Sequence, residues 1–278
     1  MSGFDLRELG HALRVVHPAP SVIVASAVAV LALNGGASVV ESGMLAMAML
    51  GFQFSIGTLN DIADADADRL AGVDKPIPGG LVSPRWAGLI AGLGVALGIA
   101  LSAGFGLAVV VLGVAGWSCG VAYDVALRRA GLGWLAFAVA LPLLLAWTWT
   151  ATGSFPAGWP ALLLVSAVAG PMLHLSNSLV DPQSDERTGR RTLATALGPR
   201  RARRTLGLLV ALVLVLALVA SVTRGSMIAT SVAAFLLGAV LASVGVALAW
   251  APSPRPREAG WLLLAVSMIP IVAAWVMS

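Results

Sequence analysis

The acidic residues of this chain fall mainly into two windows, and each window has the spacing of a helical ligand row. The first reads Asn60-Asp61-Ile62-Ala63-Asp64-Ala65-Asp66-Ala67-Asp68-Arg69. The second reads Asn177-Ser178-Leu179-Val180-Asp181-Pro182-Gln183-Ser184-Asp185-Glu186-Arg187. Both contain Asn-x3-Asp-x3-Asp with an Arg shortly after. On a helix, residues i, i+4 and i+8 stack along one face, so Asn60, Asp64 and Asp68 line up and Asp61 joins them. Asp66 points away from that row and is expected to be solvated. Like charges four residues apart destabilise a helix, and carboxylates near a bilayer are costly without partners. Such rows persist mainly where a divalent cation is held between the acids. Oxygen ligands without His or Cys beside them favour Mg²⁺ over zinc or iron, and Mg²⁺ usually bridges to phosphate oxygens. Two such rows facing each other would bind a diphosphate at a membrane surface. The plainer reading, solvated helix ends, explains neither the repeated Asn nor the spacing.

The elements that must position these acids are membrane helices. Of 278 residues, 59% are hydrophobic and only 11% charged, with a mean hydropathy of +0.93. A soluble domain carries about 25% charged residues, so this chain cannot cover a water-facing surface. Soluble enzyme, disordered chain and disulfide scaffold are excluded, the last also because Cys119 is the only cysteine. Apolar runs between polar breaks predict spans near 20–40, 43–60, 86–103, 106–124, 132–151, 158–180, 204–223, 226–250 and 259–277. Both acidic windows begin where a span ends, the second and the sixth. The expected fold is therefore an all-α polytopic membrane protein of about nine transmembrane helices, built as two four-helix repeats plus a ninth helix. A single domain over 1–278 would include acidic cytoplasmic loops at 61–85 and 181–203. Asp5, Arg7, Glu8 and Arg14 interrupt any signal-peptide core. Leu6, Leu9, Leu13 and Val16 instead predict an interfacial amphipathic helix over 1–17.

Basic residues fix the expected orientation. Every Lys and Arg except Arg224 lies in the N-terminal segment or in a loop after an even-numbered span. The positive-inside rule places the N-terminus in the cytoplasm and the C-terminus outside a cell membrane. The pI near 10.5 is thus a topology signal. No basic stripe with interleaved aromatics marks nucleic acid as a partner; the partner is the lipid bilayer.

With these residues in hand, the chain resembles the UbiA family of intramembrane prenyltransferases from about residue 17 to 278. Asn60, Asp61, Asp64 and Asp68 match the family's N-D-x-x-D-x-x-x-D in full. Asp181 and Asp185 match its D-x-x-x-D, with Gly189 and Thr192 where G and T often follow. Lys75-Pro76-Ile77-Pro78-Gly79-Gly80 is similar to its R-P-[IL]-x-x-G loop, with Lys for Arg. Tyr123 with Arg128-Arg129 resembles its Y-x-x-x-K element, except that the base comes five residues after the Tyr instead of four. His17-Pro18 stands where Arg-Pro often opens the first span.

The resemblance implies a reaction. A polyprenyl diphosphate lies with its tail between helices and its head on two Mg²⁺ ions. Loss of diphosphate leaves an allylic carbocation, which a lipophilic or aromatic, quinone-precursor-like acceptor attacks. It also implies roles. Asn60 and Asp64 are first-metal ligands, supported by Asp61 and Asp68, while Asp181 and Asp185 hold the second metal. Lys75, Tyr123 and Arg128 bind diphosphate oxygens, Arg128 and Arg129 having membrane anchoring as the alternative. Asn177 acts as Asn60 does, and Arg187, Arg190 and Arg191 close over the site or simply fix topology.

Several residues stay open between a functional and a plain role. His174 is a base toward the acceptor or an interhelical histidine. Asp124 orients Arg128, accepts a proton or forms a helix-end ion pair. Trp147 and Trp149 stabilise a cation from within a span, although the tryptophans as a group read as an interfacial belt. Gly88, Gly92 and Gly98 read as close-packing positions. Two other functions compete: a terpene cyclase on the same scaffold, and a cation-coupled transporter, whose acids would sit at the midplane.

Overall fold

The computed structural model describes residues 10, 14–187, 191–225 and 228–278, without the side chains of residues 184, 186 and 187. Among them the secondary structure is entirely helical. The long helices are α1 (Pro18–Asn34), α2 (Val39–Leu70), α3 (Pro84–Ala103), α4 (Leu107–Ala122), α5 (Gly133–Thr152), α6 (Trp159–Ser178), α7 (Pro199–Val222), α8 (Ala229–Leu248) and α9 (Pro254–Val276). A π-helical turn, Tyr123–Leu127, extends α4, and two short helices, Pro182–Arg187 and Leu193–Leu197, join α6 to α7. Eight of the long helices are long and apolar enough to cross a membrane. α1, at 17 residues, sits at the lower limit for spanning the hydrocarbon core.

Two predicted boundaries move. The first span ends at Asn34 instead of 40, because Gly35 and the left-handed Gly36 (φ 88°) break it and Ser38 starts the next helix. Ser38 and Glu41 form a reciprocal capping box at that start. The second span continues through 61–70, which sequence reading assigned to a loop. A 32-residue helix is about 48 Å long against a core of about 30 Å, so its last turns leave the apolar layer. The acids occupy those turns.

Each long helix packs on its neighbour in sequence, and α9 returns onto α1, so the nine close a ring. Close approach depends on glycine at a few points. A side chain at Gly51 would strike the Gly94 carbonyl, and one at Gly98 would strike the Phe52 ring, which locks α3 to α2. Gly98 thus packs as expected, whereas Gly88 and Gly92 face open space. Inside the ring, α1, α2, α4, α5, α6 and α9 line one cavity of about 700 Å³.

Candidate active site

α2 delivers the first acidic row as its spacing predicts. Asp61, Asp64 and Asp68 are buried, at 1%, 6% and 1% exposure, while the Asp66 side chain is 94% exposed and accepts only from Arg69 three residues on, at 3.0 Å. Buried carboxylates need counter-charge, and three elements converge to supply it. The 71–83 loop brings Lys75, whose ammonium bridges Asp61 at 2.8 Å and Asp68 at 2.9 Å. The residue before α1 brings His17, whose Nε2–H donates to Asp61 at 3.1 Å. The end of α4 brings Arg128, whose two terminal nitrogens grip both oxygens of Asp64, one at 2.9 Å. Protein cations therefore do what the sequence argument reserved mainly for a metal. Burial works against the charge on Lys75, yet Asp61 and Asp68 outweigh it and hold the ammonium above the ordinary lysine range. Burial likewise opposes Arg128, and Asp64 overcomes it.

The π turn explains the odd spacing after Tyr123. Its hydrogen bonds run i to i+5, and the Arg128 amide donates to the Tyr123 carbonyl at 3.0 Å. The wide turn returns to the same face after five residues instead of four. Arg128 accordingly lies over the Tyr123 ring, 5.6 Å from its centre. Tyr123 is fixed in turn by edge contacts with Phe137 and His174, at 5.4 Å between Phe137 and His174 and 5.8 Å between Tyr123 and His174.

Asp124, on the same turn, makes no ion pair among the described residues. It accepts from the Asn60 amide nitrogen at 2.6 Å, and its second oxygen is buried without a hydrogen bond. A carboxylate can only accept, so Asn60 must turn its nitrogen toward Asp124, leaving its carbonyl oxygen as the donor atom for a cation. His174 is buried behind Tyr123 and does not line the cavity; it packs between helices, but its Nδ1 has no hydrogen-bond partner among the described residues, so it is not the satisfied interhelical histidine expected.

The second row reaches the same cavity by a different backbone. Asn177 closes α6, and Asp181 and Asp185 flank the start of the short helix opened by Pro182. All three line the cavity, together with Asn60, Asp64, Lys75, Tyr123 and Arg128. Asp61 lines a smaller adjoining cavity of about 390 Å³ with Arg14, His17 and Lys75, and Asp68 lies beneath Lys75. The side chain of Arg187, and all of Gly189 and Arg190, lie outside the described residues. Arg191 and Arg129 are exposed. Thr192 is buried and caps the helix Leu193–Leu197. Sequence reading gave no role to Glu258, which lines both cavities from the first turns of α9. The signal available was an isolated acid at a helix start crowded with Arg255 and Arg257. Trp147 and Trp149 are both buried, and of the two Trp147 lines the cavity.

Among the described residues no three acids or imidazoles gather closely enough to form a ready-made metal site. At the acidic end of the cavity the ligands on offer are the amide and carboxylate oxygens of Asn60, Asp64, Asn177, Asp181 and Asp185, His17 being engaged with Asp61, and Asp124 keeps one buried oxygen without a hydrogen bond. That donor set fits a hard divalent cation and fits zinc or a softer metal poorly.

Comparison with known proteins places this geometry. A sequence profile of the UbiA prenyltransferase family matches residues 21–267. No curated protein matches. Among solved structures, the fold is similar to an apo UbiA homologue from Aeropyrum pernix K1, with a TM-score of 0.75 at 22% identity over 94% of this chain and 97% of that one. It is also similar to a UbiA homologue from Archaeoglobus fulgidus bound to GPP and Mg²⁺, with a TM-score of 0.71 at 17% identity over 95% and 99% of the two chains. A third similar structure, described as digeranylgeranylglyceryl phosphate synthase, gives 0.68 at 15% identity over 97% and 98%. The profile covers most of the chain and the helices that carry both acidic rows, so this integral, multi-pass membrane protein belongs to the UbiA prenyltransferase family.

Proposed function

We propose that the protein transfers a prenyl group from a polyprenyl diphosphate to an aromatic, quinone-precursor-like acceptor through an allylic carbocation. The observation that carries this reading is the single cavity that joins both acidic rows and two cations at one end to an apolar interior at the other. Similar structures bound to GPP or DMAPP with Mg²⁺ support it.

The donor head group sits at the acidic end. When bound, two Mg²⁺ ions would supply charge that stabilises the departing diphosphate. Asn60 and Asp64 would hold one ion, with Asp61 and Asp68 in support, and Asp181 and Asp185 would hold the other. With the acids engaged in this way, Lys75 and Arg128, which now neutralise them, would be free to bind the diphosphate oxygens. Tyr123 and Asn177 border the same volume, and Arg187 follows the second row. Developing negative charge on the leaving group then meets donors already in position, which is where such electrostatic stabilisation is largest. The apolar wall excludes water, so the carbocation meets the acceptor before it meets a hydroxyl.

The acidic end faces the cytoplasm in this reading, with the C-terminus outside, because nearly all basic side chains collect there. Residues 1–278 act as one domain; most of the interfacial helix expected over 1–17 lies outside the described residues.

Purified Asp64→Ala and Asp181→Ala variants should lose Mg²⁺-dependent diphosphate release from a prenyl diphosphate by about 10²–10³-fold or more. Undiminished release in both would overturn the assignment.

A further inference from the structure

The depth of the cavity bears on the length of the donor, an inference that rests on the prenyltransferase reading above. On each lining helix one residue marks the acidic end: His17, Asn60, Tyr123, Ala136, Asn177 and Glu258. The lining stops on the same helices at Leu31, Met49, Leu112, Trp147, Leu162 and Val272. With a rise of 1.5 Å per residue, these intervals correspond to depths of about 16–23 Å.

The floor has a definite construction. Trp147 is 1% exposed, and its indole N–H has no hydrogen-bond partner. A side chain at Gly113 would lie 3.0 Å from that indole nitrogen and 3.0 Å from the edge of the Phe52 ring. Side chains from α5 and α2 thus meet the backbone of α4 at one point. A tryptophan buried in apolar surroundings without an acceptor contributes bulk and no polar contact. Bulk is what a floor requires.

Three bonds of an extended chain span about 3.5 Å, so a four-bond isoprene unit spans roughly 4.5–5 Å. We infer that the cavity takes donor tails of up to about four isoprene units, and that Trp147, backed by Phe52, sets this limit. A second position reads the same depth from the other side. Gly116 lines the cavity about 10 Å from Tyr123 along α4, and a side chain there meets nothing within 4 Å. Leucine at that position would enter the lumen near the second isoprene unit.

The test compares geranyl, farnesyl, geranylgeranyl, five-unit and nine-unit prenyl diphosphates, each with Mg²⁺ and a panel of aromatic acceptors, on the full chain in lipid nanodiscs. Diphosphate release gives kcat/KM, and thermal shift with each donor gives affinity independently of turnover. Wild type should prefer the four-unit donor over the nine-unit donor by at least about tenfold, the scale on which a pocket rejects surplus methylenes. Trp147→Ala should bring the five-unit donor up toward the four-unit one. Gly116→Leu should shift the preference to geranyl diphosphate, and it keeps the test standing where Trp147→Ala does not fold. Equal use of four- and nine-unit donors by wild type, or an unmoved preference in both variants, overturns the inference. A wild type that releases diphosphate from no donor overturns the proposed reaction instead, and affinity against tail length then still decides the depth.

Discussion

The two acidic windows share a spacing and differ in nearly everything the spacing was expected to fix. In the first, Asn60 through Asp68 stay inside α2, the acids stack on one buried face, and Lys75, His17 and Arg128 clamp them. In the second, α6 ends at Ser178 and a new short helix starts at Pro182. Proline disfavours helical geometry in the residue before it, so Asp181 cannot continue the turn that Asn177 belongs to. Asp181 is exposed where its counterpart Asp64 is buried. The repeat is therefore one of position at the end of a lining helix, and the backbone that presents the acids is free to change. Burial with built-in cations suits a row that must survive when no ligand is present, whereas Asp181, being exposed, keeps water as part of its solvation.

That contrast can be broken by stability measurements. Arg128→Ala leaves Asp64 buried beside no guanidinium and should cost about 3–5 kcal/mol in detergent unfolding. Asp181→Ala should cost less than about 1 kcal/mol in the same assay. Equal losses would show that the two rows are energetically alike.

Pro182→Ala tests the backbone difference itself. It removes the barrier to helix propagation, and a displacement of about 1 Å in the second row should lower kcat/KM by roughly 10²-fold with little loss of stability. An unchanged rate would mean that the break in α6 is incidental.

Lys75 gives the first row a pH signature. Its value in the folded protein lies above the ordinary 10.5, so its contribution is fully present below 10.5 and is lost as pH rises through the raised value. Wild type should lose thermal stability above pH 10.5 more steeply than Lys75→Met, as read from melting curves between pH 9 and 12. Identical slopes would remove Lys75 from the clamp. The smallest effect belongs to Asp66→Ala, which should change stability by less than about 0.5 kcal/mol and leave turnover intact, because its pair with Arg69 is fully solvated.

Much of this was legible along the chain. Scarce charge required membrane helices, and the 3.6-residue period put Asp64 and Asp68 on one face with Asp66 on the other. The identity of the partners was not legible. Tyr123 to Arg128 looked like a faulty spacing until the π turn absorbed the extra residue. Asp124 lies 64 residues from Asn60, and Trp147 lies far from both Phe52 and Gly113 in sequence, yet each pair meets across the ring. Gly88 and Gly92 had the spacing of packing residues, but they sit on the face of α3 that turns away from α2.

By itself the sequence determined that the chain is a set of apolar helices, where most of them lie, and which acids share one helical face. These follow from local periodicity and from the cost of charge in hydrocarbon, which depend only on neighbours in the chain. The tertiary structure alone decided which cation neutralises which carboxylate, which tryptophan ends the cavity, and that both rows open into one volume. Those are long-range contacts, and they exist only because the ring closes and brings α1 back against α9.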